Sequence, residues 1–414
     1  MNTSPWVESR KQFKRNHMLD LIRRSPEPLS RYDLKKLTGY SMTTVSNSVA
    51  DLVKDGLLLE DSCADTNRVG RRPTPLRLNS DGGYLIGVEF NIEHLHCAIL
   101  DFSGRPVYSR HADMPLRRTR DEVLTLIYKE TQRGLDFLGE RARRVLGIGL
   151  GLPGYIDRTR GIVTTFPHLP DWDNVPIVRL MEERFSLPCY IRNNVGVMGL
   201  VFKWVQEYHE EEDFLLVSIR SGARCIPVLN HQPYFGRIST TGEIGHLKVA
   251  HNGRVCDCGQ TGCLNTEISD VSIRDILEEG FAQGQYTAVQ QLSHGGRPSS
   301  ALLVQAALTG DQESIRLLRR CAHYLGEGIA AAANLFAPQK IIISGQLAKG
   351  GELFFQALEQ TVRAQCLPAV FQNLTLSPSP FGEDIGALGA AALILEQQFN
   401  PFPGAEAAIQ PGCI

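Results

Sequence analysis

The sequence predicts an α/β protein in which a small winged helical head precedes a body of two lobes. Two observations carry this. Residues 1–80 hold 14 Lys and Arg against 9 Asp and Glu, a net of +5 in a 414-residue chain whose total is −2. From Tyr84 onward compact apolar strands occur in groups, each followed by helical stretches, and this happens twice, which indicates two α/β lobes with a cleft between them. A basic head on an acidic body suits a head that meets a polyanion. The expected division is residues 1–80 for the head, 81–195 for the first lobe, completed by a helix near 384–399, 196–383 for the second lobe, and a disordered tail over 400–414.

The head reads as a winged helix-turn-helix. Residues 7–24 carry helical periodicity, with Phe13, Met18, Leu21 and Ile22 on the apolar face, and Pro26 and Pro28 end it. Ser30 caps a short second helix with Leu34 and Leu37 facing inward, and Gly39 permits the turn. A third helix over 41–54 buries Val45, Val49, Leu52 and Val53 and opens with Ser41, Thr43, Thr44, Ser46 and Asn47. Such short polar side chains let a helix enter a major groove and bond to base edges or phosphates. Residues 57–78 read as a two-stranded wing with Arg71 and Arg72 between Gly70 and Pro73, suited to a minor groove or to phosphate. A plain three-helix packing module is the alternative; the wing and the positive charge favour DNA.

In the body, residues 84–90, 94–102 and 106–115 read as strands, residues 120–141 as a long helix, and VLGIGLGLPG as a buried strand ending in a turn. Further strands follow over 213–230 and at KIIISGQL, and GEDIGALGAAALIL reads as a small-residue helix packed closely on a sheet. Residues 283–300, rich in Gly, Gln and Ser, read as a flexible loop.

The stretch from Gly242 to Glu267 carries the most chemistry. Cys256, Cys258 and Cys263 stand at C-x-C-x4-C, His246 precedes the first by ten positions, and Gly259 and Gly262 allow the tight turns of a knuckle. Three thiolates and an imidazole form a closed tetrahedral set, the usual arrangement of one structural zinc ion, Zn2+. His251 and Glu267 are spare ligands, and ordinary buried thiols are the alternative. The other cysteines are scattered, no apolar run reaches bilayer length, and the polar N-terminus lacks a signal-peptide core, so a cytoplasmic protein with reduced thiols and no membrane insertion is expected.

The motifs GLGLPGYID at 149–157, GEIGH at 242–246, CDCGQTGC at 256–263 and NLFAPQKIIISGQL at 334–347 resemble those of the ROK family of repressors, open reading frames and kinases. The resemblance covers almost the whole chain, and the head places it with the longer regulators. It implies an actin-like, ribonuclease-H-like sugar kinase fold for the body and a sugar-like effector in the interlobe cleft. Carried over from the family's sugar-binding residues, the effector set is Asn193, Asn194, Glu243, His246 and Asn265, with His168 where many relatives place an Asn. The family's catalytic Asp position is Asn194, and an amide cannot act as a general base. The expected D-x-G-G-T reads Glu89-Phe90-Asn91-Ile92-Glu93, and the second phosphate loop keeps only Gly222, with Arg220 and Arg224 beside it.

These readings point to a regulator rather than an enzyme: a repressor of carbohydrate uptake or catabolism genes. It would act as a homodimer or tetramer on a pseudo-palindromic double-stranded DNA operator. The alternatives are a sugar kinase that kept a DNA-binding head, or a repressor controlled by a regulatory protein partner.

Overall fold

The computed structural model describes residues 5–61, 74–91, 93–114, 119–166, 169, 171–205, 213–230, 232–236 and 241–401. The head contains α1 (Pro5–Arg24), β1 (Leu29–Ser30), α2 (Arg31–Thr38), α3 (Met42–Lys54), β2 (Leu58–Glu60) and β3 (Pro75–Leu78). Its strands form an antiparallel sheet in the order β1-β3-β2. Local chemistry sets the helix ends. Ser30 Oγ accepts from the Asp33 N–H while the Asp33 carboxylate accepts from the Ser30 N–H, and Gly39 closes α2 at a φ of 69°. Ser41 caps α3 by accepting from the Thr44 N–H.

Met18, Leu19, Leu34, Val45, Val49, Leu52, Leu58 and Leu76 are buried and form the head's core. Three positions depart from the expected pattern: Leu37 is 58% exposed, Phe13 is 39% exposed, and Val53 is only half-buried. Helix α2 spans only eight residues and buries Leu34 alone, so its last turn lies beyond this small core.

The chain forms two compact units, residues 1–210 with 384–414, and residues 211–383. The first unit continues from the head with β4 (Tyr84–Phe90), β5 (His94–Asp101), β6 (Pro106–Asp113), α4 (Arg120–Leu138), β7 (Val145–Leu152), β8 (Tyr155–Asp157), β9 (Ile162–Thr165), α5 (Ile177–Phe185), β10 (Cys189–Asn193) and α6 (Asn194–Trp204). Its main sheet has the order β10-β7-β4-β5-β6, with β10, β7 and β4 parallel and β4, β5 and β6 antiparallel.

The second unit holds β11 (Phe214–Ile219), β12 (Ala223–Leu229), β13 (Gln232–Pro233), α7 (Asn265–Ile268), α8 (Asp270–Ala282), α9 (Thr287–Leu292), α10 (Ser300–Leu308), α11 (Gln312–Phe336), β14 (Lys340–Ser344), α12 (Glu352–Gln365), α13 (Pro368–Phe371) and β15 (Thr375–Pro378). Its sheet, β13-β12-β11-β14-β15, repeats the plan of the first: an antiparallel trio extended on one side by two parallel strands. Helix α14 (Ile385–Phe399) then returns to the first unit.

Helix α14 packs on the first sheet through small residues, as its composition predicts. A Cβ on Gly149 of β7 would stand 1.8 Å from the Ala390 carbonyl oxygen, and one on Gly87 of β4 would stand 2.0 Å from that of Ala387. Only hydrogen at these positions lets helix backbone lie directly on strand backbone. Helix α6 is buried along its whole length and packs on α14, so it belongs to the first unit. The first unit therefore extends past residue 195, where the sequence reading ends the first lobe, to include α6. Residues 283–300 also differ from the expected loop, because α9 forms within them and buries Val289.

Candidate functional site

Residues 242–267 fold into a knuckle at the edge of the second unit's core. Gly242 has a φ of 75°, and a Cβ there would stand 1.6 Å from the Cys225 carbonyl oxygen, so a glycine is required where this segment lies against β12. A short 3-10 turn over Ile244–His246 follows. Single bridges between Lys248 and Cys263 and between Val255 and Thr261 then close the loop. Gly259 and Gly262, at φ of 79° and 75°, make the turns between the later sulfurs.

The knuckle brings His246, Cys256, Cys258 and Cys263 together. The Cys256 Sγ lies 3.7 Å from the His246 Nδ1, the Cys258 Sγ lies 3.7 Å from the Cys263 Sγ, and one donor atom from each residue falls within 4.8 Å of all the others. A tetrahedral ion with metal–sulfur bonds of about 2.3 Å has ligand–ligand edges of roughly 3.8 Å, so the group is sized for such an ion. The two alternative ligands stand elsewhere. Glu267 is buried and paired with Arg320, and His251 is exposed outside the cluster. The Lys248 ammonium donates to the Cys263 sulfur at 3.4 Å and to the Thr261 carbonyl at 2.8 Å, placing positive charge beside a thiolate. Burial pushes the Cys256 thiol up to about 11, whereas a backbone hydrogen bond from Gln260 pulls that of Cys258 down. A bound cation would offset the cost of a buried thiolate.

Beside the knuckle, Arg224 of β12 pairs with Glu243, so this arginine neutralises a carboxylate. Asn265 Oδ1 accepts from the Ala223 N–H at 2.8 Å, tying the start of α7 to the turn before β12. Glu243, Arg224, Asn265 and His246 thus surround one short stretch of backbone, and Glu243 and His246 keep solvent-facing surface.

The paired amides are in the first unit at the start of α6. Asn193 caps this helix, its Oδ1 accepting from the Val195 N–H at 3.1 Å and its Nδ2 donating to the Gly154 carbonyl at 3.2 Å. Asn194 Nδ2 donates to Glu89 Oε1 at 3.4 Å, and its Oδ1 accepts from the Val195 N–H at 2.9 Å. Both side chains are buried and bonded within their own unit. The turn after β4 is likewise closed on itself. Asn91 Oδ1 accepts from the N–H groups of Glu93 and His94 at 2.7 and 2.9 Å, occupying backbone donors that a phosphate would need.

On α3, Ser41, Thr43 and Asn47 are exposed and Thr44 and Ser46 are half-buried, with Arg31 donating to the Ser46 carbonyl at 3.2 Å. Arg71, Arg72 and His168 lie outside the described residues. Sequence reasoning missed the roles of Arg224, Lys248 and Glu89. Their partners are distant in sequence, and only an opposite charge placed within reach of a site residue could have suggested them.

A basic, three-helix head joined to paired α/β units of duplicated plan, one of them bearing a knuckle of one histidine and three cysteines, defines the class. The chain belongs to the ROK family, whose model matches residues 85–397. It is 27% identical over 375 residues to the xylose repressor of Caldicellulosiruptor bescii, covering 91% of this chain and 93% of that one. It is 26% identical over 374 residues to the transcriptional dual regulator NagC of Escherichia coli, covering 90% of each chain. A solved ROK transcriptional regulator, a homologue of the E. coli Mlc protein, superposes with a TM-score of 0.81 at 26% identity over 95% of this chain and 98% of its own. A ROK glucokinase from Streptomyces griseus shares the fold at a TM-score of 0.65 and 22% identity; it covers 75% of this chain and 99% of its own. Among the described residues no helix is long and apolar enough to cross a membrane.

Proposed function

We propose that this ROK protein is a transcriptional repressor of carbohydrate uptake or catabolism genes, with operator affinity set by a sugar or sugar derivative. One observation carries the reading. The glucokinase matches along 99% of its own length yet leaves a quarter of this chain uncovered, whereas the regulator covers 95% of it, so likeness to the regulators extends across the basic head. In that head Ser41, Thr43 and Asn47 line the open face of α3, with Thr44 and Ser46 beside them, suited to a major groove. Arg71 and Arg72 are assigned to the wing's contact with the flanking minor groove or phosphates.

The knuckle holds a structural zinc through His246, Cys256, Cys258 and Cys263, and Glu243 with the free side of His246 offers the best contacts for effector hydroxyls. The family resemblance assigns Asn193, Asn194, Asn265 and His168 to the effector as well. Phosphoryl transfer is disfavoured. The family's base position is an amide bonded to Glu89, and the Asn91 turn fills the place of a phosphate cradle. The protein acts in the cytoplasm as a homodimer or tetramer on a pseudo-palindromic operator.

The deciding experiment is sequencing of genomic fragments retained by the zinc-loaded protein, against an Arg71→Ala/Arg72→Ala control. Enrichment of a few palindromic sites beside transport or catabolic genes is expected, with retention changed by one member of a sugar panel. Equal retention by the control, together with ADP release from ATP, magnesium and a sugar, would replace this reading with the kinase one.

A further inference from the structure

A second cluster of metal-ligating side chains lies in the first unit, built across three neighbouring strands. Glu89 of β4 pairs in register with His96 of β5, and His96 pairs in register with His111 of β6. Directly opposed residues project from the same face of a sheet, so these side chains form a row. The start of α14 lies over it: a Cβ on Gly386 would stand 2.6 Å from Glu89 Oε2. Strand alternation shows the same placement. Ser109 and His111 reach Asp384, at the N-terminus of α14, while Arg110 between them reaches Glu130 of α4 on the other face.

Within this row three donors converge. Asp384 Oδ1 lies 2.6 Å from His111 Nε2 and 3.8 Å from His96 Nδ1, and the two imidazole rings are 4.1 Å apart between centroids. One ligand atom from each of the three lies within 4.8 Å of the others. His96 is 2% exposed, and its Nδ1 has no hydrogen-bond partner among the described residues, nor has Asp384 Oδ1 an aligned one. The buried His96 Nδ1 faces, beyond hydrogen-bond reach, the same carboxylate oxygen that His111 Nε2 contacts. A cation entering in place of the His111–Asp384 contact would find donor atoms of all three residues around one point. Ser109 Oγ donates to the other carboxylate oxygen, Oδ2, at 2.8 Å, fixing the plane of Asp384 as supporting partners of metal ligands do.

We propose that His96, His111 and Asp384 form a second metal site, distinct from the knuckle, for a first-row divalent transition cation. Two imidazoles and one carboxylate suit zinc, cobalt, nickel, iron or manganese better than calcium or magnesium. His111 and Asp384 keep 46% and 32% of their side-chain surface, so water completes the coordination shell on that side. The bound ion ties the ends of β5 and β6 to the residue at which the chain re-enters the first unit.

The test uses the untagged full-length protein, stripped of metal under reducing conditions and titrated with cobalt(II). Two equivalents are expected. The knuckle reports through near-ultraviolet thiolate-to-cobalt bands, and the second equivalent binds without adding to them. His111→Ala and Asp384→Asn are chosen because both side chains are partly exposed and Asp384 makes no side-chain cap bond to α14. Each variant should keep the thiolate bands and weaken the second equivalent by at least about tenfold. Zinc content by mass spectrometry should fall from two ions per chain to one. A single equivalent that carries the thiolate bands in the parent protein, or two equivalents retained by both variants, would show that the row is only an ion pair and overturn the proposal. Loss of the thiolate bands alone would count against the knuckle and leave this site standing.

Discussion

The Arg23 guanidinium of α1 stacks over the Trp204 ring at the end of α6, 5.3 Å from its centroid. It also lies 5.4 Å from the Phe102 ring and donates to the Phe102 and Ser103 carbonyls at 2.9 and 3.1 Å. Arg23 is buried, which lowers its pKa to about 10, the charges of Asp20 and Asp101 opposing the fall. Asn16 adds a bond to the Gln398 carbonyl at the end of α14. The head is therefore joined to its α/β neighbour by a buried charge with a planar donor fork. The other end of α6 begins at the Asn193-Asn194 pair, so one rigid helix links those amides to the root of the head.

Arg23→Ala should destabilise the first unit by about 2–4 kcal/mol, since it leaves two buried carbonyls unpaired and opens a cavity against Trp204. Arg23→Lys should fall between the two, because an ammonium cannot reproduce the fork. Denaturant unfolding followed by tryptophan fluorescence measures both. Equal stability of all three proteins would mean that this contact contributes nothing to docking of the head.

Ser41 and Asn47 separate stability from recognition. Ser41→Ala removes the α3 cap and should cost about 1 kcal/mol of stability. Asn47→Ala, on the exposed face, should leave stability within about 0.5 kcal/mol yet weaken operator binding. Thermal melts alongside fluorescence anisotropy on an operator duplex distinguish them. Unchanged affinity in Asn47→Ala would take the α3 face out of the DNA interface.

Cys258→Ser should abolish metal binding at the knuckle, as it would remove one of the four proposed ligands. Metal analysis of the purified variant and its melting temperature give the readout. A variant that retains stoichiometric zinc would exclude Cys258 as a ligand.

Gly242→Ala should cost about 2–4 kcal/mol, because the new methyl would meet the Cys225 carbonyl at a φ of 75°. Gly259, also at positive φ but with open space around its Cβ position, should tolerate alanine with roughly 1 kcal/mol of loss. Unfolding midpoints of the pair test whether close packing or backbone strain dominates in the knuckle.

Arg71→Ala should weaken DNA binding and flatten its dependence on salt by about one phosphate contact. Affinities at several salt concentrations provide the slope. An unaltered slope would remove this residue from the phosphate backbone.

Much of this protein follows from short-range pattern. The capping pair Ser30 and Asp33, the cap at Ser41, the period of Val45, Val49 and Leu52, and the cysteine spacing with its glycines each act within a few residues, so each is legible in the chain. The choice of His246 over His251 and Glu267 needed the fold, because the path of the loop decides which side chain can reach the sulfurs. The same holds for Leu37 and Phe13, apolar residues that the small head core does not cover. Asn193 and Asn194 keep hydrogen-bonding capacity on paper, but a helix N-terminus and the carboxylate of Glu89 take it up. The row of Glu89, His96 and His111 exists only because strand register aligns residues from three strands, and Asp384 joins it through a helix contributed from 273 residues further along the chain than His111. Local sequence determines helix ends, turns and a ligand set carried on one loop, since these depend on neighbouring residues. Tertiary structure decides which distant charges meet and which polar groups remain available, since both depend on which surfaces burial brings together.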